Sequence, residues 1–249
     1  MSISQEASQK ASLKDRLILV TGASRGIGRA VAIAAANAGA ELIITGRTIG
    51  ALEEVDDEIK AVGGKSTIVE MDMEDYPAIP RLAAAIESRW GRLDGLVANA
   101  GMLPALTPLA HLEQSAWDTC LSVNLTGQWH LIKAMDPLLR AAPAGRAILV
   151  SSGAAEGIRP FWGPYAAAKA GLEALGRSWA GENEHNNLKI NLINPGGTAT
   201  GMRASAFPGE KPESLPSPED IAPAFLMLLQ DDCPHHGELV AARDLLGLG

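Results

Sequence analysis

Short apolar runs separated by longer amphipathic stretches set the pattern of this chain. Leu17-Ile18-Leu19-Val20 has no polar interruption, the mark of a strand buried on both faces. Similar segments at 41–45, 66–70, 93–98, 147–151 and 189–193 alternate with helical periodicity at 27–38, 49–62, 75–90, 114–140 and 163–183. Strand followed by helix, repeated along the chain, predicts an α/β fold with a doubly wound parallel sheet flanked by helices. The expected organisation is a polar N-terminal tail over 1–13 and a single domain over 14–249. Within that domain, residues 194–218 are rich in Gly, Pro, Ser and Thr, exceed ordinary loop length and read as a lid or binding loop.

Composition narrows the function classes. The chain has 249 residues, 47% apolar and 20% charged, enough for one large core. Its formal charge of −8 comes without any Lys/Arg-rich run, so the footprint of a nucleic-acid binder is missing and a small-molecule partner is expected. Cys120 and Cys233 stand far apart and outside any CxxC spacing, which supports neither a disulfide framework nor structural zinc and suits a reducing cytoplasm. The polar start lacks a signal-peptide core, and no stretch approaches the ~20 apolar residues of a membrane span. Cys233-Pro234-His235-His236 is too cramped for a metal site and reads as a solvated turn, so no metal is expected.

The first strand runs into Thr21-Gly22-Ala23-Ser24-Arg25-Gly26-Ile27-Gly28, which opens a helix. Backbone N–H groups and the helix dipole can hold a diphosphate there, and glycines allow the close approach. The spacing is G-x-x-x-G-x-G and lacks the Lys-Ser/Thr of a phosphate loop. Gly22-Ala23-Ser24-Arg25-Gly26 also fits the G-x-S-x-G nucleophile elbow, although an elbow should follow several strands and a matching His and Asp are not evident.

Tyr165 and Lys169 are four residues apart on a predicted helix, so a phenol and an ammonium share one face. A nearby lysine charge favours the phenolate and can bring a tyrosine, which titrates near pH ~10 when free, towards the working range of acid-base catalysis. By itself this spacing also fits ordinary surface packing.

Taken together, these motifs resemble the short-chain dehydrogenase/reductase family, in its single-domain form of roughly 250 residues. The resemblance rests on six features in order: the glycine turn, Asn99-Ala100-Gly101, Val123-Asn124, Ser152, Tyr165 with Lys169, and Asn194-Pro195-Gly196. Ser152 is preferred over Ser151 because it lies thirteen residues before Tyr165, the family's usual spacing. The resemblance implies a Rossmann-like NAD(P)-binding oxidoreductase domain with 194–218 as substrate loop. It implies a catalytic set of Asn124, Ser152, Tyr165 and Lys169, acting between a small-molecule carbonyl and its secondary alcohol. Tyr165 would protonate the carbonyl oxygen, Lys169 lower its pKa and hold the nicotinamide ribose, Ser152 hold the substrate oxygen, and Asn124 fix a water in the proton relay. A non-catalytic NADP-binding sensor or assembly protein of the same fold is the alternative, one that usually loses the Tyr or the Lys.

The resemblance also distributes the cofactor contacts. Gly22, Ser24, Arg25, Gly26, Ile27 and Gly28 form the diphosphate turn, and Asp72 and Met73 face adenine. Asn99, Ala100 and Gly101 follow the fourth strand; Tyr165 and Lys169 reach the ribose; Pro195, Gly196, Thr198 and Thr200 complete the site. At the end of the second strand, where an acidic residue would select NAD, stand Gly46-Arg47-Thr48. Arg47 and Arg25 would converge on a 2′-phosphate, so NADP(H) is the expected cofactor. Met102, Leu103, Ala154, Ala155, Pro160, Phe161, Trp162, Met202 and Phe207 are expected to line an apolar substrate pocket, with Glu156, Arg159 and Arg203 as polar anchors.

Three positions depart from the family pattern. Ala98 replaces the first Asn of the usual N-N-A-G, Thr198 stands where Ile or Val is commoner, and the C-terminus lacks the usual Asp-Gly-Gly tail. A homodimer or homotetramer is expected, since in the family the helices carrying Asn124 and Tyr165 pack against their symmetry mates; Trp129 and Trp179 fall on those helices.

Overall fold

The computed structural model describes residues 12–248. Seven strands form one all-parallel sheet in the order β3-β2-β1-β4-β5-β6-β7: β1 Leu17–Thr21, β2 Glu41–Gly46, β3 Lys65–Glu70, β4 Gly95–Ala98, β5 Arg146–Val150, β6 Lys189–Asn194 and β7 Leu239–Ala241. Every residue of β1, β4 and β5 is buried, as the uninterrupted apolar runs require of strands covered on both faces.

Helices α1 Gly26–Asn37, α2 Ile49–Ala61 and α3 Ala78–Trp90 connect the first four strands. α4 Gln114–Leu121 and α5 Gly127–Arg140 link β4 to β5, and α6 Gly163–Glu182 links β5 to β6. The core has two layers. On one face Val31, Leu52 and Phe225 pack beneath Val20 and Ile44; on the other Ile79, Leu131, Met135 and Trp179 pack beneath Leu19 and Leu96.

The chain winds outward from β1 to β3 and then crosses back to place β4 on the other side of β1. Strand order reverses there, so the connections leaving β1 and β4 diverge and open a crevice at their carboxyl ends. Gly22 and Asn99 both sit at that crevice.

Several elements differ from the sequence expectation. The helix expected over 114–140 is split by a π-helical turn at Ser122–Thr126, which widens the backbone where Asn124 must turn inward. The loop region holds a short helix, α7 Gly201–Ala206, with Thr200 as its N-cap accepting from the Arg203 N–H. Elements beyond residue 218 had not been expected: α8 Pro218–Leu229, which begins with a Ser217/Asp220 capping box, then β7 and the short helix Ala242–Leu245. Residues 1–11 of the expected tail lie outside the described residues. Leu13 is fully buried, with its N–H on the Ala38 carbonyl, so packing begins within the segment read as tail.

Candidate active site

Thr21 ends β1 inside the core, and its hydroxyl accepts the Asn99 and Ala100 N–H groups at 3.1 and 3.0 Å. The Asn99 amide returns two bonds, to the Thr21 and Gly22 carbonyls at 2.9 and 3.1 Å. The turn after β1 and the turn after β4 are therefore fastened to each other. Gly22 sits at φ +65°, and a Cβ there would come within 2.8 Å of the Ala100 Cα, so backbone conformation and close approach both demand glycine. Asn99 thus acts through its side chain as a brace, and Thr21, which the sequence placed at the head of the glycine turn without a role of its own, is the other half of it.

The crevice is a cavity of about 310 Å³. At one end are Gly22, Ser24, Gly26 and Ile27 at the start of α1, with Arg25, Arg47, Asp72 and Met73 around them. Arg25 and Arg47 are exposed, and neither has a carboxylate partner among the described residues. Ala100, Gly101, Pro195, Gly196, Thr198 and Thr200 also border this cavity. Gly28, Thr48 and Asn124 do not. Gly28 is a packing glycine, since its Cβ would fall 2.3 Å from the Gly22 carbonyl oxygen. Thr48 is the exposed N-cap residue of α2.

At the other end, β5 delivers Ser151 and Ser152, and the first turns of α6 deliver Tyr165 and Lys169. The two serines separate clearly. Ser151 is buried and donates its hydroxyl to Glu173 Oε1 at 2.6 Å, a tie between β5 and α6. Ser152 instead uses its oxygen to accept the Ala154 N–H at 3.1 Å and lies beside the Tyr165 phenol. The Asn194 amide oxygen accepts the Gly153 and Gly196 N–H groups at 3.1 and 3.0 Å, so it holds the Ser152 turn against the Pro195-Gly196 turn.

Lys169 is buried, and its Nζ donates to the Val150 carbonyl at 2.7 Å while lying 5.7 Å from the Tyr165 ring centre. Burial pushes the Tyr165 phenol up to about 12, opposed by the Ser152 hydroxyl and raised a little further by Cys120. Burial likewise brings the Lys169 ammonium down to about 8. Burial is thus the leading influence on both groups, and it moves the phenol in the direction opposite to the one expected of a neighbouring lysine charge.

Asn124 is completely buried. Its amide donates to the Met102 and Cys120 carbonyls, both at 2.9 Å, and its oxygen accepts the Met102 N–H at 3.0 Å. A Cβ on Gly101 would come within 2.9 Å of that oxygen, so the glycine makes room for the asparagine. Asn124 therefore fixes the strand-end segment that borders the site. Gln128, one turn on, similarly donates to the Ala100 carbonyl at 2.8 Å.

Met102, Leu103, Trp162 and Met202 line the apolar end as expected, joined by Ala206 from α7. Pro160 and Phe161 stay on the surface, Ala154 and Phe207 pack beside the lining residues, and Ala155 lies off it. Of the polar anchors, only Arg203 borders the cavity; Glu156 and Arg159 are exposed outside it. His235 and His236 are not merely a solvated turn. His236 accepts the Ile190 N–H and faces the Ala180 carbonyl, pinning the segment before β7 to β6 and α6, while His235 pairs with Glu238.

The short chain dehydrogenase family model matches residues 16–211. The uncharacterized oxidoreductase YciK of Escherichia coli strain K12 is 39% identical over 223 residues, 88% of either chain. The solved structure of yciK from E. coli superposes with a TM-score of 0.90 at 38% identity, covering 94% of this chain and 97% of that one. A structure from E. coli CFT073 complexed with NADPH gives 0.90 at 37% identity, over 94% and 98% of the two chains. The chain belongs to the short-chain dehydrogenase/reductase family of oxidoreductases.

Proposed function

We propose that the protein is an NADP(H)-dependent oxidoreductase that interconverts a carbonyl and a secondary alcohol, with 3-oxoacyl thioesters and other small ketones as the leading substrate class. The observation that carries this reading is a single cavity with a glycine cradle at one end and the buried Tyr165 phenol beside Ser152 at the other. The residues at the cradle suit a dinucleotide phosphate. The positive-φ Gly22 and Gly26 leave room that a side chain would occupy, the start of α1 offers free N–H groups, and Arg25 and Arg47 supply unmatched positive charge where a 2′-phosphate would lie. NADPH and NADP complexes of related structures, from E. coli CFT073 and Shigella flexneri 2a, support the same choice.

When bound, the nicotinamide supplies or accepts the hydride. The chain supplies the rest. Tyr165 gives its phenolic proton to the carbonyl oxygen, which Ser152 holds by its hydroxyl. Lys169, anchored on Val150, keeps positive charge behind the phenol, and Asn124 keeps Gly101 and Met102 in place at the floor. Residues 194–218 serve as the substrate loop, with α7 closing one wall. A screen of ketones that follows NADPH oxidation tests this reading; oxidation dependent on a ketone and on Tyr165 is the expected result, and its absence across the panel overturns it.

A further inference from the structure

The cations along this cavity differ in how they are matched. Arg25 and Arg47, at the cradle, have no acidic partner among the described residues, whereas Arg203 is clasped by Glu210 in a two-pronged pair, Nε to Oε2 at 2.6 Å and Nη2 to Oε1 at 2.8 Å. Both side chains of that pair are partly shielded, at 30% and 27% exposure. The Arg203 guanidinium lies 3.8 Å over the Phe207 ring, the Phe207 ring is 5.8 Å from Trp162, and Trp162 packs edge-on against Tyr165 at 5.9 Å. A continuous file of groups thus runs from the phenol to the ion pair, and the other lining residues nearby, Met102, Leu103, Met202 and Ala206, are apolar or small.

We propose that this end of the cavity selects an uncharged ketone bearing an apolar or aryl group, and that Glu210 determines this specificity by neutralising Arg203, the guanidinium that lines the cavity there. The proposal rests on the carbonyl-reductase reading above. An incoming carboxylate has to displace a partner tethered seven residues away on the same loop, whose effective concentration is of millimolar order or more. The fork-to-fork geometry strengthens that internal competitor further. Arg203 also holds the Glu210 carboxyl below the usual range through their hydrogen bonds, the direction expected of a pair that favours the carboxylate form. An uncharged ketone meets no such competition and can use the apolar wall that Trp162 presents.

The test uses two ketones of nearly equal shape, 1-phenyl-1,2-propanedione and phenylglyoxylate, the second carrying a carboxylate where the first has an acetyl group. With the wild-type protein and NADPH, kcat/KM for the dione is expected to exceed that for the keto acid by at least about tenfold. Glu210→Gln is expected to close that gap by about tenfold, mainly through the KM of phenylglyoxylate, and Glu210→Asp to retain most of the wild-type preference. Adding Arg203→Met to Glu210→Gln should abolish the gain. Calorimetric titration of phenylglyoxylate into the same variants, with and without NADP⁺, reads the same selectivity without turnover. Equal kcat/KM of the wild type for both ketones, or unchanged phenylglyoxylate binding in Glu210→Gln, overturns the proposal. If neither ketone is consumed, the reductase reading is decided by the wider ketone panel above, while the calorimetric comparison still decides the role of Glu210.

Discussion

Lys169 is held by Val150: its Nζ donates to the carbonyl of that strand-end residue at 2.7 Å. The bond ties the middle of the site to the last residue of β5 and fixes where the ammonium stands relative to Tyr165. It leaves a charged group in a fully buried place, which lowers its pKa to about 8.

That depression has a signed consequence for stability. An unfolded lysine titrates near 10.5 and the folded one near 8, so between those values the unfolded chain binds more protons and stability rises with pH. Tyr165 acts in the opposite sense at higher pH. Its folded value of about 12 lies above the unfolded 10, so the folded state holds the proton longer and stability falls from about pH 10 to 12. Denaturant unfolding of wild type and Lys169→Met is expected to show the wild type gaining on the variant from pH 8 to 10. Parallel curves would refute the buried ammonium as the source.

Tyr165→Phe removes the proposed proton donor and little volume. Turnover is expected to fall by about a hundredfold to ten-thousandfold with NADPH affinity nearly unchanged. Steady-state rates together with a fluorescence titration of NADPH check both halves, and unchanged turnover removes Tyr165 as the acid.

Arg25→Ala and Arg47→Ala are each expected to weaken NADPH binding by about tenfold and leave NADH nearly unaffected, because the 2′-phosphate that these cavity-lining guanidinium groups are proposed to hold is absent from NADH. The double variant should lose the preference for NADPH. Tighter binding of NADH than NADPH by the wild type would contradict the assignment.

Gly22→Ala combines a left-handed backbone with a Cβ only 2.8 Å from the Ala100 Cα. The expected cost is about 1–3 kcal/mol of stability, with loss of dinucleotide binding, as read by thermal unfolding with and without NADPH. Gly50, where an added Cβ would meet nothing within 4 Å, is the control and should tolerate alanine.

A homodimer or homotetramer is expected in solution, with Trp129 at the contact. Trp129 is 45% exposed and stands beside the stacked rings of His130 and Tyr76. Trp179, the other tryptophan considered for that role, is 4% exposed and donates its indole N–H to Asp136 at 2.7 Å within its own chain. Light scattering at micromolar concentration should give a multiple of the 26.0 kDa chain mass, reduced in Trp129→Glu. A wild-type mass near 26.0 kDa ends this reading.

The alternation of buried strands and amphipathic helices was legible in the sequence because both periodicities are local. So were the glycine turn and the Tyr165/Lys169 spacing, since a helix places i and i+4 on one face wherever it lies. β7 escaped notice because three residues with one buried centre make no run, and α8 because its signal was a cap, Ser217 with Asp220, more than a stripe. The spacing to Tyr165 already pointed to Ser152, but its physical reason is tertiary: Glu173 reaches Ser151 from the next helix and takes up that hydroxyl. Tertiary structure alone turned Asn99 and Asn124 into braces for backbone distant in sequence, and it made burial the leading influence on the Tyr165 phenol, which no neighbour in the sequence reports. The chain pattern carries what each residue does with its near neighbours; hydrogen-bond partners and desolvation arise only when separate strand ends meet in one crevice.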